Sequence, residues 1–162
     1  MKVKFGGNDV NLIGNEIKVG DIFPDFKAVD LDFNDFLLSS LPKTKKLILS
    51  IPSIDTGVCE TETTKFMNYF SNKNYPVIVI SQDLPFALSR WCAIRNNKKI
   101  QTLSEFKYKD FGKKAGVLLE GSELLTRAVF VLDENNKVLY VDYVKVVGHE
   151  PNYEEILKFF ED

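Results

Sequence analysis

Apolar runs and polar punctuation divide the chain into alternating short strands and helices. Val3–Phe5 and Val10–Ile13 flank Gly6-Gly7-Asn8-Asp9 and predict an N-terminal β-hairpin. Val19–Pro24 reads as a connecting turn, followed by short strands at Phe26–Asp30 and Asp35–Leu38. Two predominantly apolar runs, Lys46–Ile51 and Pro76–Ser81, have the length and β-branched content of buried strands. Between them the spacing predicts a helix from about Thr56 to Tyr69. Val58, Phe66, Met67 and Phe70 form its packed side, and Glu60, Glu62 and Lys65 face water. A second helix starts near Pro85, a residue suited to a first helical turn. Ile100–Leu103 is a further short strand, and Ser104 suits the N-cap of a helix around Glu105–Lys114. Ala128–Leu132 and Lys137–Tyr143 form a hairpin around Asp133-Glu134-Asn135-Asn136, and Pro151–Phe160 closes as an amphipathic helix.

A strand–helix–strand–helix order, then an antiparallel hairpin and a last helix, implies an α/β fold. Its central mixed β-sheet is flanked by helices, and the first hairpin is an N-terminal extension. With no internal repeat, low-complexity segment or linker, residues 1–162 read as one domain. Apolar residues make up 44%, enough for a proper core without a staple. Net charge is −2 with both signs interspersed, so no basic stripe invites nucleic acid. Neither a signal-peptide core nor a run long enough to span a bilayer is visible, which points to a cytoplasmic protein with no membrane partner. In a reducing compartment two cysteines are free or catalytic rather than permanently bridged.

Those two cysteines carry the candidate chemistry. Pro52-Ser53-Ile54-Asp55-Thr56-Gly57-Val58-Cys59 follows a buried strand and enters a helix, placing Cys59 in a first helical turn. Unpaired N–H groups and a partial positive charge gather there, and thiolate rather than thiol is the nucleophile. Cys92 lies further on, in the second helix, and Arg127 immediately precedes the run Ala128-Val129-Phe130-Val131-Leu132. Singly, each has a plainer reading. Either cysteine can be a small buried hydrophobe, Cys92 packing with Phe86, Leu88 and Ile94. Arg127 can be a surface charge on a strand, and Thr56, or Asp55 in its place, a simple N-cap. Together they suggest redox chemistry, with one thiol to attack, another to resolve and a cation beside them. Other classes lack parts. Lys65 stands six positions after Cys59, where a cysteine phosphatase needs arginine. His149, the one histidine, reads as a solvent-exposed residue, so neither a histidine base nor a zinc or haem site is assembled. Without a Gly-rich nucleotide fingerprint or a Cys-x-x-Cys pair, no cofactor is expected and thioredoxin-type exchange is not indicated.

Pro52, Thr56 and Cys59 match the Pro-x-x-x-Thr-x-x-Cys signature of the peroxiredoxins. Asp83-Leu84-Pro85-Phe86-Ala87, Arg90-Trp91-Cys92 and Arg127-Ala128-Val129 extend the resemblance to the thiol peroxidase subfamily, the atypical 2-Cys peroxiredoxins. Trp91 stands where that subfamily usually carries phenylalanine. The resemblance implies a thioredoxin-like fold and reduction of hydrogen peroxide or organic hydroperoxides. Cys59 would attack and become a sulfenic acid, and Cys92 would resolve it as a Cys59–Cys92 disulfide. Thioredoxin or a similar dithiol would then reduce the bridge. Pro52 is assigned to shielding the site, Thr56 to hydrogen-bonding thiolate and peroxide, and Arg127 to holding the sulfur ionised and polarising the O–O bond. The family also implies a homodimer. A thiol redox sensor or a thioredoxin-fold binding module are the alternatives, and sustained peroxide turnover separates them. One expectation is independent of the family. Cys92 lies roughly 10 Å down its helix, whereas a disulfide needs Cα atoms within about 7 Å. The reduced fold should therefore hold the thiols apart, and bridging should unwind the turn around Cys59 and part of Arg90–Arg95.

Overall fold

The computed structural model describes residues 1–161. The chain opens with a hairpin of β1 (Lys2–Phe5) and β2 (Asn8–Ile13), turned by Gly6 and Gly7, both at positive φ. A shorter hairpin, β3 (Lys27–Val29) and β4 (Asp35–Leu37), precedes β5 (Lys46–Ser50) and helix α1 (Gly57–Tyr69). Then come β6 (Val77–Ser81), α2 (Pro85–Ile94) and β7 (Gln101–Ser104). A short α3 (Phe111–Ala115) and β8 (Leu118–Leu119) lead to the antiparallel pair β9 (Ala128–Leu132) and β10 (Val138–Tyr143). Helix α4 (Tyr153–Leu157) runs on into a 3-10 turn, Lys158–Phe160.

Seven strands form one mixed sheet in the order β10-β9-β5-β6-β7-β3-β4. Because β5 pairs parallel to β6, and β6 to β7, the chain leaves β5 and β6 at the same edge of the sheet. Helices α1 and α2 therefore begin side by side, the usual place for a site in such sheets. Strand alternation sorts the core into two layers. Leu47, Leu49, Val77, Val79, Val129 and Val131 pack beneath α1, α2 and α4, against Phe66, Phe70, Leu88 and Trp91. Ile48, Ile78, Ile80 and Phe130 point the other way, to Phe23, Phe26 and Phe111 at α3. This is the thioredoxin-like α/β arrangement with helices on both faces. At the rim of the sheet Lys46 is buried because its Nζ donates to the Thr44 carbonyl at 3.0 Å and to Asn136 Oδ1 at 2.7 Å.

Three elements depart from the expected pattern. No helix follows Ser104, which ends β7; its hydroxyl donates to the Asp83 carbonyl at 2.5 Å and accepts from the Phe106 amide at 3.3 Å. The buried Glu105 carboxylate accepts the Gly112 amide at 2.6 Å, folding 105–110 back before α3 begins. Secondly, β8 joins β2, so the N-terminal hairpin is part of a three-stranded sheet, β1-β2-β8. Thirdly, Glu62 does not face water but is fully buried. Among the described residues no helix is long and apolar enough to cross a membrane.

Candidate active site

Thr56 is the N-cap of α1: its Oγ1 accepts the Cys59 amide at 3.1 Å, leaving Cys59 at the third helical position. Asp55, the other candidate cap, is exposed and unused for this purpose. Cys59 is 0% exposed, with Ile51, Ile54, Phe66, Val129 and Trp91 in the same apolar cluster. Among the described residues one polar group reaches its sulfur. Arg127, at 1% exposure, donates from Nη2 to Sγ at 3.1 Å. The same guanidinium donates from Nη1 to Glu62 Oε1 at 2.7 Å and from Nε to the Val147 carbonyl at 2.8 Å. Positive potential from the helix start and from the guanidinium thus converges on one sulfur atom.

Arg127 stands just before β9 because the ladder of β5 and β9 pairs Ser50 with Ala128, delivering the preceding side chain beside the loop that follows β5. Burial opposes its charge, but Glu62 and then Cys59 outweigh that cost and hold the guanidinium above its ordinary value. Burial pushes Glu62 up to about 7, against the downward pull of Arg127. Its Oε2 has no hydrogen-bond partner. The charge of Glu62 argues for water, yet Cys59, Glu62, Thr63 and Phe66 are the buried residues of α1, continued by its buried C-cap Phe70. Their spacing of three, four, seven and eleven is an apolar-stripe pattern that contained the signal.

A cleft of about 170 Å³ ends on this group, lined by Pro52, Thr56, Val58, Arg127 and Val147, with Phe5 and Gly6 of the N-terminal hairpin at its rim. Pro52 is buried. Thr56 lines the cleft, but its observed bonds are to the Cys59 amide and the Ser53 carbonyl (3.3 Å), not to sulfur. His149 is exposed. At the surface Tyr153 donates to Glu150 at 2.7 Å, and Lys65 lies 3.2 Å from the same carboxylate.

Cys92 is buried in the same apolar cluster, but its polar partners are different. Its Sγ lies 3.4 Å from Thr102 Oγ1 and accepts from Asn97 Nδ2 at 3.3 Å. Leu88 and Trp91 share its packed side, whereas Phe86 and Ile94, expected there, are 71% and 70% exposed. Both cysteines are free. Between the two helices Arg95, at the end of α2, pairs with Glu60, the neighbour of Cys59. The fold thus brings Pro52, Thr56, Cys59 and Arg127 together and leaves Cys92 in a separate pocket. Among the described residues no cluster of potential metal ligands occurs.

Residues 18–157 match the Redoxin family. The "Thiol peroxidase" of Oceanobacillus iheyensis is 45% identical over 156 residues, covering 96% of this chain and 95% of the relative. That of Clostridium acetobutylicum is 44% identical over 159 residues, covering 98% and 96%. Among solved structures, a peroxiredoxin-like protein from Aquifex aeolicus superposes with a TM-score of 0.91 at 40% identity, covering 98% of this chain and 94% of its own. A thiol peroxidase from Chromobacterium violaceum gives 0.90 at 26% identity, with the same coverage. The chain belongs to the Redoxin family, among the thiol peroxidases.

Proposed function

We propose that this thiol-dependent peroxidase reduces hydroperoxides through Cys59, resolves the product with Cys92 and is recharged by a thioredoxin-type dithiol. The observation that carries the assignment is the single guanidinium, Arg127, spanning Cys59 Sγ and the buried Glu62. In the first step the Cys59 thiolate attacks the terminal peroxide oxygen and the O–O bond breaks. The leaving oxygen takes a proton and departs as water or an alcohol, while sulfur is oxidised to a sulfenic acid. Arg127 faces both the sulfur and the cleft, so it can stabilise charge as it passes from one oxygen to the other. Thr56 fixes the turn that presents Cys59 and lines the path of the incoming peroxide. Pro52 walls that path from bulk water.

In the second step the Cys92 thiol gives up its proton and attacks the Cys59 sulfur, the S–O bond breaks, the departing hydroxide takes up a proton to leave as water, and a disulfide forms. A dithiol then reduces it by exchange. Distinct sulfur partners for the two thiols support a resolving step that follows local unwinding. We assign a second copy of the chain as a stable partner, on the strength of the exposed aromatics Phe33 and Phe86, whose tilted rings lie 5.2 Å apart near the start of α2. The test of the cycle is a pair of variants under rapid mixing. Cys59→Ser should abolish peroxide consumption. Cys92→Ser should consume one equivalent and leave a trappable sulfenic acid at position 59. First oxidation at Cys92, read by mass spectrometry, would reverse the roles.

A further inference from the structure

A continuous line of hydrogen bonds runs from the threshold of α2 to the amide of Cys59. It begins at Asp83, two residues before the proline that starts the Cys92 helix. One carboxylate oxygen accepts the Ser53 hydroxyl at 2.7 Å; the other accepts the Ile54 amide at 2.8 Å and the Ser81 hydroxyl at 2.7 Å. The Ser53 carbonyl accepts both the Thr56 amide and the Thr56 hydroxyl at 3.3 Å. Thr56 Oγ1 in turn accepts the Cys59 amide. The far side of the joint is fixed as well, because the Asp83 carbonyl accepts the Ser104 hydroxyl of β7.

We propose that Asp83 is a positioning residue that holds the Pro52–Cys59 loop in its peroxide-ready form and must release it before the disulfide closes. The inference rests on the Cys59–Cys92 cycle proposed above. Three donors converge on this carboxylate, and two of them, Ser53 and Ile54, belong to the loop that carries Pro52 and Thr56. Hydrogen bonds to a charged acceptor are the strong kind, so the loop is held where Arg127 meets the sulfur. Unwinding the turn around Cys59 breaks the Thr56 contacts, and Ser53 then loses the reason for its placement. Bonds made in one form and lost in the other set the balance between the two. Asp83 therefore acts with opposite sign on the two half-reactions, favouring attack on peroxide and delaying resolution.

The experiment compares the pre-reduced full chain with its Asp83→Ala and Asp83→Asn variants, mixed rapidly with hydrogen peroxide. Sulfenic acid and disulfide are read by acid quench and mass spectrometry. Asp83→Ala should slow sulfenic acid formation about tenfold and speed its conversion to disulfide about tenfold, the worth of one charged hydrogen bond in each direction. Sulfinic acid at high peroxide should fall accordingly. Asp83→Asn keeps an acceptor for Ile54 and should lie between. Ser53→Ala, a milder cut in the same line, should reproduce the pattern at smaller size if Asp83→Ala does not fold. Both steps slowing together, as a general loss of structure would give, overturns the inference, and so does no change in either. If the unaltered chain itself forms no sulfenic acid at Cys59, the cycle fails and this inference with it. An intact cycle with unresponsive variants removes the inference alone.

Discussion

Arg127 joins two stretches of chain that are far apart in sequence: the first half of α1, through Cys59 and Glu62, and the segment after β10, through the Val147 carbonyl. It is a fully desolvated cation with each kind of donor in use, so its substitution has two separable effects. Arg127→Ala should slow sulfenic acid formation by about 10²–10³-fold, the usual size for a lost donor to developing charge. Reduction of the preformed disulfide should be largely unaffected. Equal losses in both half-reactions, measured separately by stopped flow, would count against the assigned role. Pro52, Thr56, Cys59 and Arg127 were legible as a group because three of them form the peroxiredoxin signature within eight residues and the fourth heads an apolar strand. Glu62 was not, because its charge argues for water until its partner, 65 positions away, is seen. A buried carboxylate needs a partner, and for Glu62 the guanidinium supplies it.

Helices α1 and α2 start at the same edge of the sheet, yet their thiols have different partners: Arg127 for Cys59, Thr102 and Asn97 for Cys92. Under the proposed cycle, bridging them would cost helical hydrogen bonds. Amide hydrogen exchange should show the amides of 57–60 and 91–95 losing protection on oxidation, while those of β5, β6 and β9 keep theirs. Unchanged protection in both helices would mean that the reduced fold already permits the bridge. The Glu60–Arg95 ion pair joins the two segments that would move. The long elements with clear periodicity were readable from sequence to within a residue or two. So were the short strands β1, β3, β4 and β7; two other short elements, β8 and α3, were not. β8 has two residues and exists because β2 lies beside it, and α3 starts late because Glu105 turns inward to the Gly112 amide. Both depend on tertiary contacts that local propensity does not contain.

At the scale of the molecule two buried carboxyls weigh on stability together. Burial pushes Glu62 and Glu105 each up to about 7 from an ordinary value of 4.5. The folded state thus binds these protons more tightly than the unfolded chain does. Their contribution is most favourable below the unfolded value and is lost as pH rises through the window from 4.5 to about 7. Glu62→Gln, which keeps the shape and cannot ionise, should remove its share of that slope. The stability difference between variant and unaltered chain should therefore move in the variant's favour between pH 5 and 7, by urea titration. A constant difference across that range would show that Glu62 is ionised throughout. The order of the seven-stranded sheet could be foreseen in outline from the alternation of strands and helices, since crossover rules leave few choices. The docking of the first hairpin could not, because its partners come much later in the chain.

That docking has a temporal side. Lys4 exchanges backbone hydrogen bonds with Lys145 and Val147, and the Val147 carbonyl is the one that holds Nε of Arg127. Some 140 residues separate these partners, which at about 5–20 residues per second is on the order of ten seconds of translation. Cys59 and Val147 are themselves some 90 residues apart, so for the later part of that interval the nascent chain carries the Cys59 sulfur without the full guanidinium cradle, which closes only when the segment after β10 reaches the first hairpin.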